Sequence, residues 1–122
     1  MKKAAEGGYD TVIFVGGQNH FQDLEGHDRP NMKLLYAQDK LIEELFEVVP
    51  DMIMVMFSGS PVEMPWISRV HTLVWSWFNG MEGGTALAEI LFGKSEPIRP
   101  SAGGFSDISS GLLRTLYWRI SW

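Results

Sequence analysis

The sequence of 122 residues contains no cysteine. Disulfides, thiolate zinc sites and a cysteine nucleophile are therefore excluded. Long apolar runs are missing too, and none approaches the ~20 residues of a membrane span. The opening, Met1-Lys2-Lys3-Ala4-Ala5-Glu6-Gly7-Gly8, is basic but lacks the apolar core of a secretory signal. Neither absence specifies a compartment. Positive charge is in deficit: 10 Lys+Arg stand against 15 Asp+Glu, a formal net charge of −5. That balance argues against a nucleic-acid partner, which needs a basic face. Internal repeats and low-complexity tracts are absent as well. What remains is 45% hydrophobic and 12% aromatic, too apolar for a disordered chain and of a length for one domain.

The order of elements follows from periodicity. Lys2 to Gly8 reads as the end of a helix, with Gly7-Gly8 as its left-handed cap. Thr11 to Val15 is a continuous apolar run, expected to be a strand covered on both faces and ended by Gly16-Gly17. From Leu34 to Val49, apolar residues at 34, 35, 41, 42, 45, 46 and 49 have the spacing of an amphipathic helix, which Pro50-Asp51 breaks. Met52 to Phe57 reads as a second buried strand, Trp66 to Val70 as a short helix and His71 to Phe78 as a third strand. A helix over Gly83 to Phe92, capped by Gly93, follows the Asn79-Gly80 turn. Such alternation predicts an α/β fold, a mainly parallel sheet flanked by helices forming a partial α/β sandwich. Ligands in these folds bind beyond the carboxyl ends of the strands. The aperiodic polar stretch 18–33 leaves one of those ends, and long loops of this kind are usually functional or disordered.

Several chemistries bear on that stretch and its surroundings. Glu25, in Asp23-Leu24-Glu25-Gly26-His27-Asp28-Arg29, is a carboxylate beside a flexible glycine and is positioned to serve as a general acid. A solvated loop glutamate is the competing reading. His20, His27 and Asp28 lack any metal-ligand spacing, so no metal is expected, and Asp28 and Arg29 are assigned to holding the loop. Val12-Ile13-Phe14-Val15-Gly16-Gly17 lacks the dinucleotide fingerprint G-x-G-x-x-G, so no nucleotide cofactor is expected. Asn79 to Gly84 opens a helix, but Glu82 disfavours a phosphate there. Ser58-Gly59-Ser60 lacks the strand–elbow–helix context of a hydrolase nucleophile. Met52, Met54, Met56 and Met64 are read as core filling. Trp75 and Trp77 are read as core packing, with Trp77 near enough to the strand end to line a pocket.

Certain stretches carry more than periodicity. Tyr9-Asp10-Thr11-Val12-Ile13-Phe14-Val15-Gly16, Glu25-Gly26-His27-Asp28-Arg29-Pro30-Asn31-Met32-Lys33-Leu34 and Gln38-Asp39-Lys40-Leu41-Ile42 occur in this order. Ser58-Gly59-Ser60-Pro61-Val62-Glu63-Met64-Pro65-Trp66 and the run from Trp77 to Gly93 follow. Together they resemble the C-terminal α/β sandwich of glycoside hydrolase family 3, the β-glucosidase family. The resemblance spans roughly residues 4 to 97. It implies that Glu25 is the general acid/base of a retaining glycosidase. It also implies a nucleophilic aspartate on a separate N-terminal (β/α)8 barrel, with a β-glucoside or oligosaccharide as substrate. The two carboxyl groups of a retaining enzyme stand ~5–5.5 Å apart. Glu25 in this chain is accordingly expected to be solvated and partnerless, and the chain alone to be inactive. The alternative is a non-catalytic α/β module that binds a separate barrel chain or another partner.

The resemblance also implies a partial domain over 1–97, because the family's domain begins with further strands and helices before Ala4. After residue 97 the sequence departs from it. Where the family has P-S-G-K/R-L-P-x-T/S-F-P, this chain reads Pro97-Ile98-Arg99-Pro100-Ser101-Ala102-Gly103-Gly104-Phe105-Ser106. Among the synonymous codon sets that would encode Ile98 to Ser106 is ATC CGG CCG TCT GCC GGT GGA TTT TCC. Shifted by one base, this set reads S-G-R-L-P-V-D-F-P. Residues 98–122 are thus expected to be an out-of-frame tail. Sequencing the gene tests this: a neighbouring frame should restore family sequence, and failure in both neighbouring frames would refute the shift.

Overall fold

The computed structural model describes residues 6–22 and 24–95. The tail assigned to 98–122 and most of the first helix lie outside them. The chain divides into two compact units, one holding residues up to Trp77 and the other starting at Phe78. In the first unit, strand β1 (Ile13–Gly17), helix α1 (Gln38–Phe46), strand β2 (Ile53–Phe57) and strand β3 (Thr72–Ser76) follow one another, with a 3-10 turn at Ile67–Arg69. The second unit contains helix α2 (Gly83–Leu91).

The three strands form one sheet in the order β1-β2-β3, and both pairings are parallel. The α/β class and the parallel sheet are therefore as the sequence predicts. Phe14 pairs with Met54 and Met54 with Leu73, so successive partners lie across the sheet on one face. On that face Met54 and Met56 join Ile42 and Phe46 of α1 in a core completed by Leu34, Met52, Val62 and Trp66. Ile42 and Phe46 are four residues apart and so project from one side of the helix. The three methionines of this strand region are thus core filling, and Met64 packs at its margin.

Other boundaries differ from expectation, for physical reasons. Gly16 and Gly17 do not terminate β1. They are paired with Met56 and Phe57 inside it. Nor is β1 covered on both faces: Ile13 and Val15, which alternate with the core-facing Phe14 and so point to the other face, are 40% and 56% exposed, and β1 has β2 as its one strand neighbour among the described residues. Helix α1 begins at Gln38 rather than Leu34. Tyr36 and Ala37 hold the left-handed conformation, at φ 59° and 56°, which costs an L-residue roughly 1–2 kcal/mol each and cannot continue a right-handed helix. At its other end, Val48 and Val49 both donate their amides to the Leu45 carbonyl, closing the helix before Pro50. The third strand stops at Ser76. Beyond it Trp77 is half exposed and meets Trp75 edge-to-face, with ring centroids 6.3 Å apart.

The segment after β2 is anchored to α1. The buried Trp66 indole donates from Nε1 to Asp39 Oδ1 at 2.8 Å, while Arg69 reaches Glu47 Oε1 at 2.9 Å and lies over the Phe46 ring. Ile42 stands at the centre of this packing and is fully buried. Ile42→Ala should lower the unfolding free energy by about 2–5 kcal/mol, as truncation in a well-packed core does. Urea denaturation of the full chain measures it, and a loss below about 1 kcal/mol would show that α1 is not docked as described.

Candidate functional site

Parallel pairing sends the chain out of β1 and β2 at the same end of the sheet. Both ladders run one step past the strands there: Gln18 N–H donates to the Phe57 carbonyl at 2.8 Å and Ser58 N–H to that of Ser76 at 3.1 Å. Gln18 and Ser58 are buried, at 7% and 0% exposure. Ser58 Oγ lies 2.6 Å from Gln18 Oε1 and 2.5 Å from the Ser60 carbonyl, and Ser60 Oγ donates to Gln18 Oε1 at 3.1 Å. A hydroxyl has one proton, so Ser58 can serve only one of those acceptors. Turning the Gln18 carboxamide by half a rotation lets its NH2 donate to both hydroxyls and frees Ser58 for the Ser60 carbonyl. Ser58 is therefore a structural hydroxyl that holds two loop roots together.

Behind this cluster Gln38, the first residue of α1, reaches back to the end of β1. Its Oε1 accepts the Gly17 amide at 2.8 Å, and its Nε2 donates to the Gly17 carbonyl at 2.8 Å and to that of Leu35 at 3.1 Å. Both glycines of β1 are required for this. A Cβ on Gly16 would stand 2.7 Å from Gln38 Oε1, and one on Gly17, at φ 132°, would overlap the Phe57 carbonyl.

The polar loop follows. Its first turn is formed by Asn19, whose Oδ1 accepts from Phe21 N–H and whose carbonyl accepts from Gln22 N–H. Asn19 Nδ2 also donates to the Tyr36 hydroxyl at 3.3 Å. A second turn closes from His27 N–H to the Leu24 carbonyl and passes through Gly26 at φ 81°. Glu25 lies in that turn and is exposed, with no hydrogen bond or ion pair among the described residues. The loop then returns to the sheet. Arg29 is half-buried and donates from Nη2 to the Pro61 carbonyl at 2.8 Å, and Glu63 N–H donates to the Met32 carbonyl at 2.8 Å. Asp28 is exposed, without a hydrogen bond or ion pair among the described residues.

The structure thus gathers Glu25, Asp28 and Arg29 on one loop whose two roots are fixed and whose tip is free. No group of three or more His, Asp or Glu residues able to hold a metal occurs among the described residues. The polar residues that build the roots, Gln18, Gln38, Ser58 and Ser60, were not singled out from the sequence for that task. The available signal was the glycine pair followed directly by a polar residue, where a strand would otherwise continue. Arg29→Ala should leave the sheet intact and loosen the loop. Hydrogen exchange would detect this as faster exchange at Glu63 with unchanged protection at Val55, and equal acceleration at both positions would contradict it.

Comparison with known proteins bears on this loop. Residues 1–99 match the family described as the glycosyl hydrolase family 3 C-terminal domain. The chain is 49% identical over 90 residues to beta-glucosidase BoGH3A of Bacteroides ovatus, covering 72% of this chain and 12% of that protein. It is 40% identical over 96 residues to thermostable beta-glucosidase B of Acetivibrio thermocellus, covering 79% of this chain and 13% of that one. Among solved structures, the beta-glucosidase of Kluyveromyces marxianus in complex with glucose superimposes with a TM-score of 0.68 at 35% identity, over 70% of this chain and 10% of that chain. DesR, a beta-glucosidase of Streptomyces venezuelae in complex with D-glucose, gives 0.63 at 30% identity, over 84% of this chain and 14% of that chain. The chain therefore spans about a tenth of the length of the curated relatives it matches.

Proposed function

This chain belongs to the glycosyl hydrolase family 3 C-terminal domain family, and on that premise we propose that it is the acid/base-bearing part of a β-glucosidase-like retaining glycoside hydrolase. The observation that carries the reading is the place of Glu25. It is exposed on a loop that leaves the carboxyl end of a parallel strand and is tied back to the neighbouring strand's exit. A proton donor needs that combination: reach into space outside its own domain, with roots that do not move.

In the complete enzyme an aspartate of an N-terminal barrel attacks the anomeric carbon. Glu25 gives its proton to the departing glycosidic oxygen, and the bond between that oxygen and the anomeric carbon breaks. Glu25, now a carboxylate, takes a proton from water as the water oxygen displaces the aspartate. Sugar and free enzyme result, and both carboxyl groups return to their starting states. A β-glucoside or related oligosaccharide is the substrate class. Arg29, through Pro61, keeps the loop on the sheet; Asp28, exposed and without a bond among the described residues, is assigned a supporting role in the complete enzyme alone. Such a site needs no metal and no cofactor. Residues 98–122 fall outside this function as an out-of-frame tail, a reading supported by the end of the family match at residue 99.

Two measurements test the proposal. The purified 122-residue chain should not turn over an aryl β-glucoside, because one carboxylate of the pair is missing; robust turnover abolished by Glu25→Gln would refute this. A graft of the matched segment into the Bacteroides ovatus relative should be active. In that graft Glu25→Gln should reduce the rate about 10²–10⁴-fold on substrates with poor leaving groups, the usual contribution of general acid catalysis. A Glu25→Gln graft with full activity would overturn the assignment.

A further inference from the structure

We propose that Gln38 is a positioning residue for the Glu25 loop, setting where the proton donor stands by fixing the strand end from which the loop departs. The inference rests on the reading of Glu25 given above and adds a residue that has no role in it.

Three independent features meet at Gln38. First, its carboxamide engages both main-chain groups of one residue, accepting from Gly17 N–H and donating to Gly17 C=O, each at 2.8 Å. That two-point capture is what a neighbouring strand would supply, and it fixes position and orientation together. Second, room has been cleared for it. Gly16 has no side chain where the carboxamide passes, and Gly17 lies against the Phe57 main chain with no space for one. Third, the two residues before Gln38 are non-glycines held at positive φ. Strain of this kind persists only where the surroundings over-determine it. Here the strained pair turns the chain so that Gln38 starts α1 while its side chain points back to β1, and Nε2 also ties down the Leu35 carbonyl within the turn.

What Gln38 holds is the first root of the loop, eight residues before Glu25. The second root is held separately, by Arg29 on Pro61 and by Glu63 on Met32. A loop pinned at both roots places its tip, whereas a loop pinned at one root swings. A displacement near 1 Å at a reacting group can cost about a hundredfold in rate. Gln38 contributes no atom to the chemistry. Its carboxamide is committed to Gly17 and Leu35, so it acts through the loop.

The test separates positioning from mere stability by changing the leaving group. In the graft into the Bacteroides ovatus relative, Gln38→Ala should lower kcat/KM about 10–100-fold on a methyl β-glucoside, whose leaving oxygen must be protonated. On a dinitrophenyl β-glucoside, whose leaving group departs without a proton, it should lower kcat/KM, which covers only the steps up to that departure, less than threefold. Gln38→Glu keeps an acceptor for Gly17 N–H and should recover part of the loss. In the full 122-residue chain, Gln38→Ala should speed exchange of the Gly17 amide while Val55 keeps its protection. An equal loss on both substrates, or unchanged exchange at Gly17, overturns the proposal. If Glu25→Gln shows the leaving-group bias and Gln38→Ala does not, this inference alone falls. If Glu25→Gln shows no bias, the reading of Glu25 falls and takes this inference with it.

Discussion

Parallel pairing through β2 is the constraint on which the remainder depends. Because β1 and β3 both run alongside β2 in the same sense, the chain leaves β1 and β2 at one end of the sheet. Only then can Gln18 meet Ser58, and Arg29 meet Pro61, across more than thirty residues of sequence. An antiparallel partner would have sent one of these exits to the opposite end. The core that supports the pairing lies on the α1 side of the sheet, with Ile42 and Phe46 seated against Met54 and Met56. Hydrophobic burial thus determines where polar groups emerge, and the polar groups then determine where the loop goes.

The loop illustrates how a site can be divided between rigid and free parts. Its roots are dense with main-chain bonds, from Gln18 to Phe57 and from Glu63 to Met32. Its tip has one turn, closed by His27 and relaxed by Gly26. Glu25 sits in the tip. A carboxylate whose working partner belongs to another domain has reason to be unengaged within its own, because any local bond would have to be broken before the chemistry. On the proposed reading this domain supplies placement, and the second carboxylate comes from a barrel domain facing it.

Much of the architecture was legible in the sequence because burial leaves periodic traces. The apolar run Met52 to Phe57, the helical spacing of Ile42, Leu45 and Phe46, and the turn residues at 50–51 and 79–80 each carry a local signal. The errors came where long-range contacts overrode local preference. Gly16-Gly17 has every local mark of a strand end, yet Gln38 and β2 keep it in the sheet. Leu34 and Leu35 fit a helical stripe, but the turn at Tyr36 and Ala37 separates them from α1. Thr11 to Val15 reads as doubly covered because apolar content does not reveal whether a second layer packs on the far face of a strand. Glu25 stood out by its loop and by family resemblance. The carboxamides that fix its loop were hidden, because a glutamine's partner many positions away leaves no mark in its own neighbourhood.

The exposed flank of β1 has a colloidal consequence. Ile-Phe-Val-Gly-Gly carries neither charge nor proline, the devices by which sheets discourage adhesion at an open margin. Gln38 covers the main-chain groups of Gly17, but among the described residues no strand pairs those beside the outward Ile13 and Val15. Any extended backbone can dock on such groups regardless of its sequence. Crowded solutions of the separate polypeptide should therefore clump along this margin, and its solubility ceiling would be set by the very strand from which the polar loop departs.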